Sequence, residues 1–215
     1  MARRTPTARS ARTTSRRGRP RSGEREERRQ RVIDAAFDEL LEHGFEHVTM
    51  LGIASRAGAS KETLYSWFGS RDGLFTAMIE QNADSSAERV AAALAGDADP
   101  EVTLIGYATG LLTLLTDRRS VALNRAAMTS PDLAKILLAS GRHRVGPIVE
   151  QYLARLGAAG WLRIDDPSEA FTLLYGLVVR DTQIRVLLGE PPPSRSAVAA
   201  RAETGVRNFM ALTKP

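Results

Sequence analysis

Apolar residues recur at three- and four-residue intervals through most of this chain, and no stretch alternates apolar and polar as a strand would. Val32, Ile33, Ala36, Phe37, Leu40 and Leu41 mark one face of a first helix. Ser22 reads as its N-cap, with Glu24, Glu26 and Glu27 in the first turn, where acids suit the helix dipole. Gly44 reads as its stop. Thr49 to Phe68 holds two short helical patterns broken at Gly58. The first pattern turns Leu51, Ile53, Ala54 and Ala57 to a buried face. The second opens at Ser60, a good cap, and buries Leu64 and Phe68, four apart. Ser70 can cap a long helix that begins near Asp72 and carries Leu74, Phe75, Met78 and Ile79.

Beyond residue 95 one punctuation recurs: a capping residue, then proline, then an acid or serine. It occurs as DPE at 99–101, SPD at 130–132 and DPSE at 166–169. Proline at the first helical position lacks an N–H that would be unpaired there anyway, so each triplet predicts a helix start. Gly160 and Gly189 read as stops, Pro191–Pro193 forbids continuation, and Ser194 to Leu212 reads as a last helix. Tyr175 to Gly189 reads as one aliphatic helix interrupted by Arg180, Asp181 and Gln183. The chain is therefore expected to be all-α, with about nine helices. Three parts are expected: an Arg-rich disordered arm over 1–21, a helix-turn-helix domain over 22–75, and a helical domain over 76–215.

Composition narrows the chemistry. Without cysteine, disulfides, thiolate metal sites and cysteine nucleophiles are excluded. His43, His47 and His143 share no metal-ligand spacing, and no nucleophile elbow or phosphate loop is present, so neither metal, cofactor nor enzymatic activity is expected. No apolar signal core follows the basic N-terminus, and Leu104 to Leu115 is too short and polar to span a bilayer, so no membrane partner is expected.

The net charge of +5 conceals an asymmetry. Residues 1–31 carry twelve arginines against three glutamates, +9, and the remainder is −4. A basic arm on a mildly acidic body points to a localised contact with a polyanion. Of the 30 basic residues 27 are arginine, which forks onto phosphate and guanine edges. A GC-rich genome would also inflate arginine, but it would not cluster it.

A short helix, a glycine turn and a second short helix form a DNA-reading unit in which the N-terminal part of the second helix enters the major groove. Lys61, Glu62, Thr63, Tyr65, Ser66 and Trp67 are the residues that pattern would expose there. The whole stretch Gly44 to Phe75, GFEHVTMLGIASRAGASKETLYSWFGSRDGLF, resembles the DNA-binding domain of TetR/AcrR-type regulators. The matching elements are Gly-aromatic, Thr-x-x-x-Ile-Ala, Ala-Gly-x-Ser, Thr-Leu-Tyr-x-x-Phe and Ser-basic-acidic-x-Leu. The remainder has the size and helical character of the family's ligand-binding and dimerisation domain and loosely resembles the AefR-like subgroup.

The resemblance implies roles. Thr49 bonds a phosphate, and Ser60 caps the recognition helix. Lys61, Glu62, Thr63 and Ser66 face bases or adjacent phosphates. Tyr65 sets its hydroxyl on a phosphate, Trp67 lies along the backbone, and Arg71, where the family has lysine, grips a phosphate. Glu62 can accept from cytosine N4 or simply favour the first turn. Met50 and Leu51 stand where some members carry polar readers, which puts readout from the preceding helix in doubt.

In the C-terminal part, Tyr107, Leu111, Leu114, Asn124, Met128, Tyr152, Leu174, Tyr175 and Val178 fall on helices that enclose the family's ligand cavity. Each either touches a largely apolar ligand or packs the core. Arg180, Asp181 and Gln183 lie either at the seam of a homodimer or on a solvated face.

The implied function is a cytoplasmic, nucleoid-associated regulator, a repressor that binds a palindromic operator in double-stranded DNA as a homodimer and is released by a small molecule. An architectural DNA-binding protein without effector is the alternative. Ahead of the first helix, Arg17, Gly18, Arg19 and Pro20, followed by Arg21, resemble the core of an AT-hook, an arm for a narrow minor groove.

Overall fold

A computed structural model describes residues 22–96 and 98–215. Over these residues the chain is helical, with eleven α-helices, one short 3-10 turn and no strand. The stretch Arg17–Arg21 lies outside the described residues.

Helix α1 spans Ser22–His43, α2 Met50–Ala57, α3 Lys61–Phe68 and α4 Arg71–Leu94. Their apolar faces meet in one core that includes Ile33, Phe37, Leu40, Ile53, Leu64 and Phe75. The Phe45 ring, in the 3-10 turn after α1, meets Phe75 edge-on at 4.9 Å. Leu41, Ala57 and Phe68, expected in that core, sit at its edge half-buried. The inward face of α2 is also one position off the expectation. Met50 is buried with Ile53 and Ala54, whereas Leu51 is 66% exposed. The cause is the start of the helix: Thr49 caps it, so Met50 opens the i, i+3, i+4 stripe.

The C-terminal helices are α5 Pro100–Thr116, α6 Arg118–Thr129, α7 Pro131–Ser140, α8 Arg142–Ala158, α9 Pro167–Val179, α10 Thr182–Leu187 and α11 Arg195–Leu212. The three proline triplets all start helices. Asp99 accepts from the Glu101 and Val102 amides at 2.9 and 3.1 Å, and Asp166 from those of Ser168 and Glu169 at 2.8 and 3.4 Å. Ser130 accepts from the Leu133 amide at 3.5 Å.

The expectation of an all-α chain with about nine helices holds, and eleven are described because three helices after α4 start at points the sequence did not signal. Asp117 caps α6 through the amides of Arg119 and Ser120, and α8 follows Gly141 with no side-chain cap at all. The third is the break between α9 and α10. The expected single helix from Tyr175 to Gly189 is interrupted at Arg180, a non-glycine residue at φ 49°.

A second core gathers Leu104, Tyr107, Leu153, Leu174, Val178 and Phe209. Helix α11 lies close on α9: a Cβ on Gly205 would stand 2.9 Å from the Val178 Cα. The first core continues beyond residue 75 into Met78 and Ile79, and takes in Leu123, Ala126 and Leu133 from α6 and α7. Helix α4 therefore belongs to both ends of the molecule. Its N-terminal turns support the α2–α3 head, and its C-terminus is held by Arg155, which donates to the Leu94 carbonyl at 2.6 Å. Among the described residues no helix is long and apolar enough to cross a membrane.

Candidate nucleic-acid interface and ligand cavity

The turn between α2 and α3 is built by one left-handed residue. Gly58 has φ 61° and ψ 36°, and the Gly58 and Ala59 amides donate to the carbonyls of Ser55 and Ala54 at 3.3 and 3.0 Å. Ser60 then caps α3, accepting from the Thr63 amide at 3.2 Å while its hydroxyl meets that of Thr63 at 3.0 Å. Thr49 plays the same part for α2, through the Gly52 amide at 3.1 Å. Each cap oxygen still has a hydroxyl hydrogen to donate, so capping and a phosphate contact are compatible at Thr49.

Leu64 is the one fully buried side chain of α3. It pins the helix so that Lys61, Glu62, Tyr65 and Ser66 face solvent, as expected. The Lys61 ammonium lies 5.7 Å from the Tyr65 ring centroid, a cation over an aromatic face that leaves both groups at the outer surface. The Glu62 carboxyl is held below its ordinary range, first by its own backbone N–H and then by Ser60 and Lys61, so it is an ionised acceptor at neutral pH. Thr63 and Trp67 are half-buried. The indole rests against the core with the Phe68 ring edge-on at 6.5 Å, and it offers only part of its surface to a partner.

Arg71, expected to grip a phosphate, stacks on aromatic rings in this structure. Its guanidinium is folded inward, 4.2 Å over the Phe45 ring and 5.7 Å over Phe75, and donates to the Phe45 carbonyl. Its Nε is buried without a partner. The aromatic pair beside the start of α4 offers a planar cation a stacking surface that competes with solvent and phosphate. Arg71→Gln is therefore expected to lower the melting temperature, costing about 1 kcal/mol. The slope of log affinity for DNA against log salt should stay unchanged. A fall of that slope by about 0.9 would restore the phosphate contact.

Two supports of the head escape a reading of apolar periodicity. Arg56 on α2 bonds Glu39 at 2.7 Å and also pairs with Glu42, so one guanidinium ties α2 to two carboxylates of α1. The bond to Arg56 holds the Glu42 carboxyl below its usual range, and the bonds to Glu39 and Glu42 raise the Arg56 pKa, so Glu42 and Arg56 are both charged at neutral pH. The second support is Gly73. A Cβ there would lie 2.0 Å from the Phe68 carbonyl oxygen, so the first turn of α4 passes directly against the end of α3. Its signal in the sequence is a glycine inside a helix start, in RDGLF.

The C-terminal helices enclose a cavity of about 470 Å³ bounded by α4 to α10. Of the residues expected around a ligand, Tyr107, Leu111, Leu114, Asn124 and Tyr175 line it. Tyr152, Leu174 and Val178 do not: they are buried in the second core, on helix faces turned toward neighbouring helices. Met128 is also corrected, being 64% exposed near the end of α6. Gln183, placed in sequence at a dimer seam or a solvated face, instead lines the cavity and accepts from the Tyr175 hydroxyl at 3.5 Å.

Arg180 and Asp181 are exposed at the α9–α10 junction. Arg180 borders a broad groove against α11, lined also by Gly176, Ala200 and Thr204. Cavity residues that the sequence did not single out include Asn82, Ser86, Arg89, Ser120 and Arg142, all polar.

Comparison with known proteins agrees with this layout. The family model for bacterial regulatory proteins of the tetR family matches residues 32–78, and that for the AefR-like transcriptional repressor C-terminal domain matches residues 102–212. An HTH-type transcriptional regulator of Bacillus subtilis, YdeS, is 31% identical over 109 residues, 51% of this chain and 51% of its own length. The match thus spans about half of that relative. A solved TetR transcriptional regulator from Agrobacterium tumefaciens is 37% identical, covering 86% of this chain and 94% of the other at a TM-score of 0.69. The Flavonoid-responsive Regulator FrrA is 28% identical, covering 88% of this chain and 98% of its own at 0.66. The two models together take in both the reading head and the cavity-bearing helices. The chain belongs to the TetR family of helix-turn-helix transcriptional regulators, with an AefR-like C-terminal domain.

Proposed function

We propose that the protein is a repressor that binds a palindromic operator as a homodimer and leaves it when a small molecule fills the C-terminal cavity. The observation that carries the DNA-binding part is the outer face of α3, where Lys61, Glu62, Tyr65 and Ser66 stand clear of a helix pinned by Leu64. Two such helices reach successive major grooves when their centres lie one helical turn apart, ~34–36 Å.

The homodimer reading is supported by the exposed small-residue faces of α9 and α11, with Gly176, Ala200 and Thr204 along one groove. Faces of this kind allow two helix pairs to pack closely. Release is supported by α4, which touches both sites: Phe75 and Met78 pack in the head, while Asn82 and Ser86 line the cavity. A ligand that favours one placement of α4 changes the spacing of the two heads only by binding that state more tightly. The flavonoid response in the name of FrrA supports a small-molecule effector of this chain too. The Arg-rich arm, Arg17 to Arg21 included, is assigned to the minor groove beside each head.

The test is a fluorescence-anisotropy titration against DNA selected from random sequence. Lys61→Ala with Tyr65→Phe is expected to weaken binding about tenfold or more with an unchanged melting temperature, since both side chains are exposed. A chain lacking residues 1–21 is expected to bind with a shallower salt dependence. Unchanged affinity in the double variant would remove α3 from the interface.

A further inference from the structure

The charge bordering the cavity is one-sided and lies on exposed residues. Its wall contains two ionisable side chains of fixed charge, Arg89 and Arg142, and no aspartate or glutamate. Neither arginine forms an ion pair among the described residues. Arg89 donates to the Ser85 and Ser86 hydroxyls at 2.7 and 3.2 Å. Arg142, at the rim, lies 5.0 Å over both the Phe171 and Tyr175 rings, and its single hydrogen bond, to the Thr172 hydroxyl, is long at 3.5 Å. On the same helix as Arg142, Arg144 by contrast pairs with Asp84.

The hydroxyls near Arg142 share the imbalance. Tyr107 is 3% exposed, and its hydroxyl has no hydrogen-bond partner among the described residues. Burial holds its ionisation far above the ordinary range despite the opposing Arg142 charge, so at neutral pH it is an O–H donor. Tyr175 is raised by burial in the same way, and its bond to Gln183 is weak at 3.5 Å. The region around Arg142 therefore holds a surplus of donors and positive charge, whereas the wall formed by Ile79, Leu111, Leu114 and Leu123 is apolar. A hydroxyl that lines the cavity without a strong protein acceptor is free to donate to a ligand.

We infer that the effector is an apolar acid whose oxyanion is bound by Arg142 with the Tyr107 and Tyr175 hydroxyls, its hydrocarbon or aromatic body filling the rest of the cavity. This inference rests on the cavity being the effector site. A carboxylate satisfies it best, because its two oxygens can take the guanidinium and a hydroxyl at once.

Isothermal titration calorimetry without DNA tests it, using matched pairs of carboxylic acids and their primary amides. The series runs through straight-chain and phenylalkanoic acids of about six to twelve carbons, sizes that a cavity of this volume admits. At least one acid is expected to bind at least about tenfold more tightly than its amide. Arg142→Met is expected to abolish that preference and Arg142→Lys to restore part of it. Tyr107→Phe is expected to weaken the acid severalfold while leaving the amide unchanged. Circular dichroism melts of the variants confirm that each is folded.

Amides that bind as well as acids, an Arg142→Met protein that keeps the preference, or no binding by any acid at millimolar concentration would overturn the inference. Operator release is read separately by anisotropy. An acid that binds but leaves DNA affinity unchanged overturns the proposed release mechanism and leaves the anion site standing. Release by amide and acid alike does the reverse.

Discussion

A Gly73→Ala protein is expected to lose operator binding almost completely and to be destabilised by about 3 kcal/mol, the upper end of what overpacking costs. The added methyl would lie 2.0 Å from the Phe68 carbonyl oxygen, with the carbonyl carbon at 3.2 Å. That neighbour is backbone, so no side-chain rotation relieves the overlap. Either α3 or the first turn of α4 must move. Movement of α4 is resisted by the Ser70 cap, whose oxygen accepts from the Gly73 amide at 3.0 Å, and by Leu74 and Phe75, which are both fully buried next to the substituted position. The strain therefore falls on α3, the element that carries the reading face. The comparison of interest is between two readouts. The melting temperature should fall moderately, and DNA affinity should fall by much more, because binding needs α3 within a fraction of an ångström and folding does not. Wild-type affinity in Gly73→Ala would show that the α3–α4 junction does not set the position of the reading helix.

The second large effect comes from removing volume at the same helix. Leu64→Ala deletes the one fully buried side chain of α3, at a cost of about 2–5 kcal/mol. An eight-residue helix is too short to persist on its own propensity, so α3 depends on this anchor and on its caps. The expected result is a chain whose C-terminal core, built around Leu104, Leu153, Leu174 and Phe209, still folds, but whose reading head frays. Trp67 supplies the signal. Its indole is half-buried against the head, and its emission should shift to the red as that seat is lost. Leu64→Met, which conserves volume, should cost less than about 1.5 kcal/mol and keep DNA binding. If Leu64→Ala bound operator like the parent chain, packing from beneath would not be what orients α3.

These two residues also mark how far the sequence could be read. Leu64 was legible because a four-residue period and a Ser60 cap locate the buried face of a short helix without knowledge of its neighbours. The same logic placed the helix starts at Asp99, Ser130 and Asp166, where a capping oxygen and a proline act within one turn. Gly73 was not legible, since its constraint is a carbonyl five residues away brought close by the bend at Gly69.

The stacking of Arg71 was not legible because its partner, the Phe45 ring, comes from the turn after α1. The break at Arg180 was invisible for a different reason. An arginine has no preference of its own for φ 49°, so the residue type gives no sign of the break. In the cavity, the family resemblance located Leu111 and Leu114 but not Arg142 and Arg89, polar side chains that gave no sign in the sequence of lining it.

The central claim is that α3 reads a palindrome in pairs, and hydroxyl-radical footprinting of the full chain on a selected high-affinity DNA tests it most directly. Two short protected segments are expected, symmetric in sequence and centred about one helical turn apart, ~34–36 Å. Both segments should vanish together in the Lys61→Ala, Tyr65→Phe variant and on addition of the acid that binds the cavity. Uniform protection with no preferred sequence, persisting in that variant, would contradict the account and leave an architectural DNA-binding protein held by its arginine-rich arm.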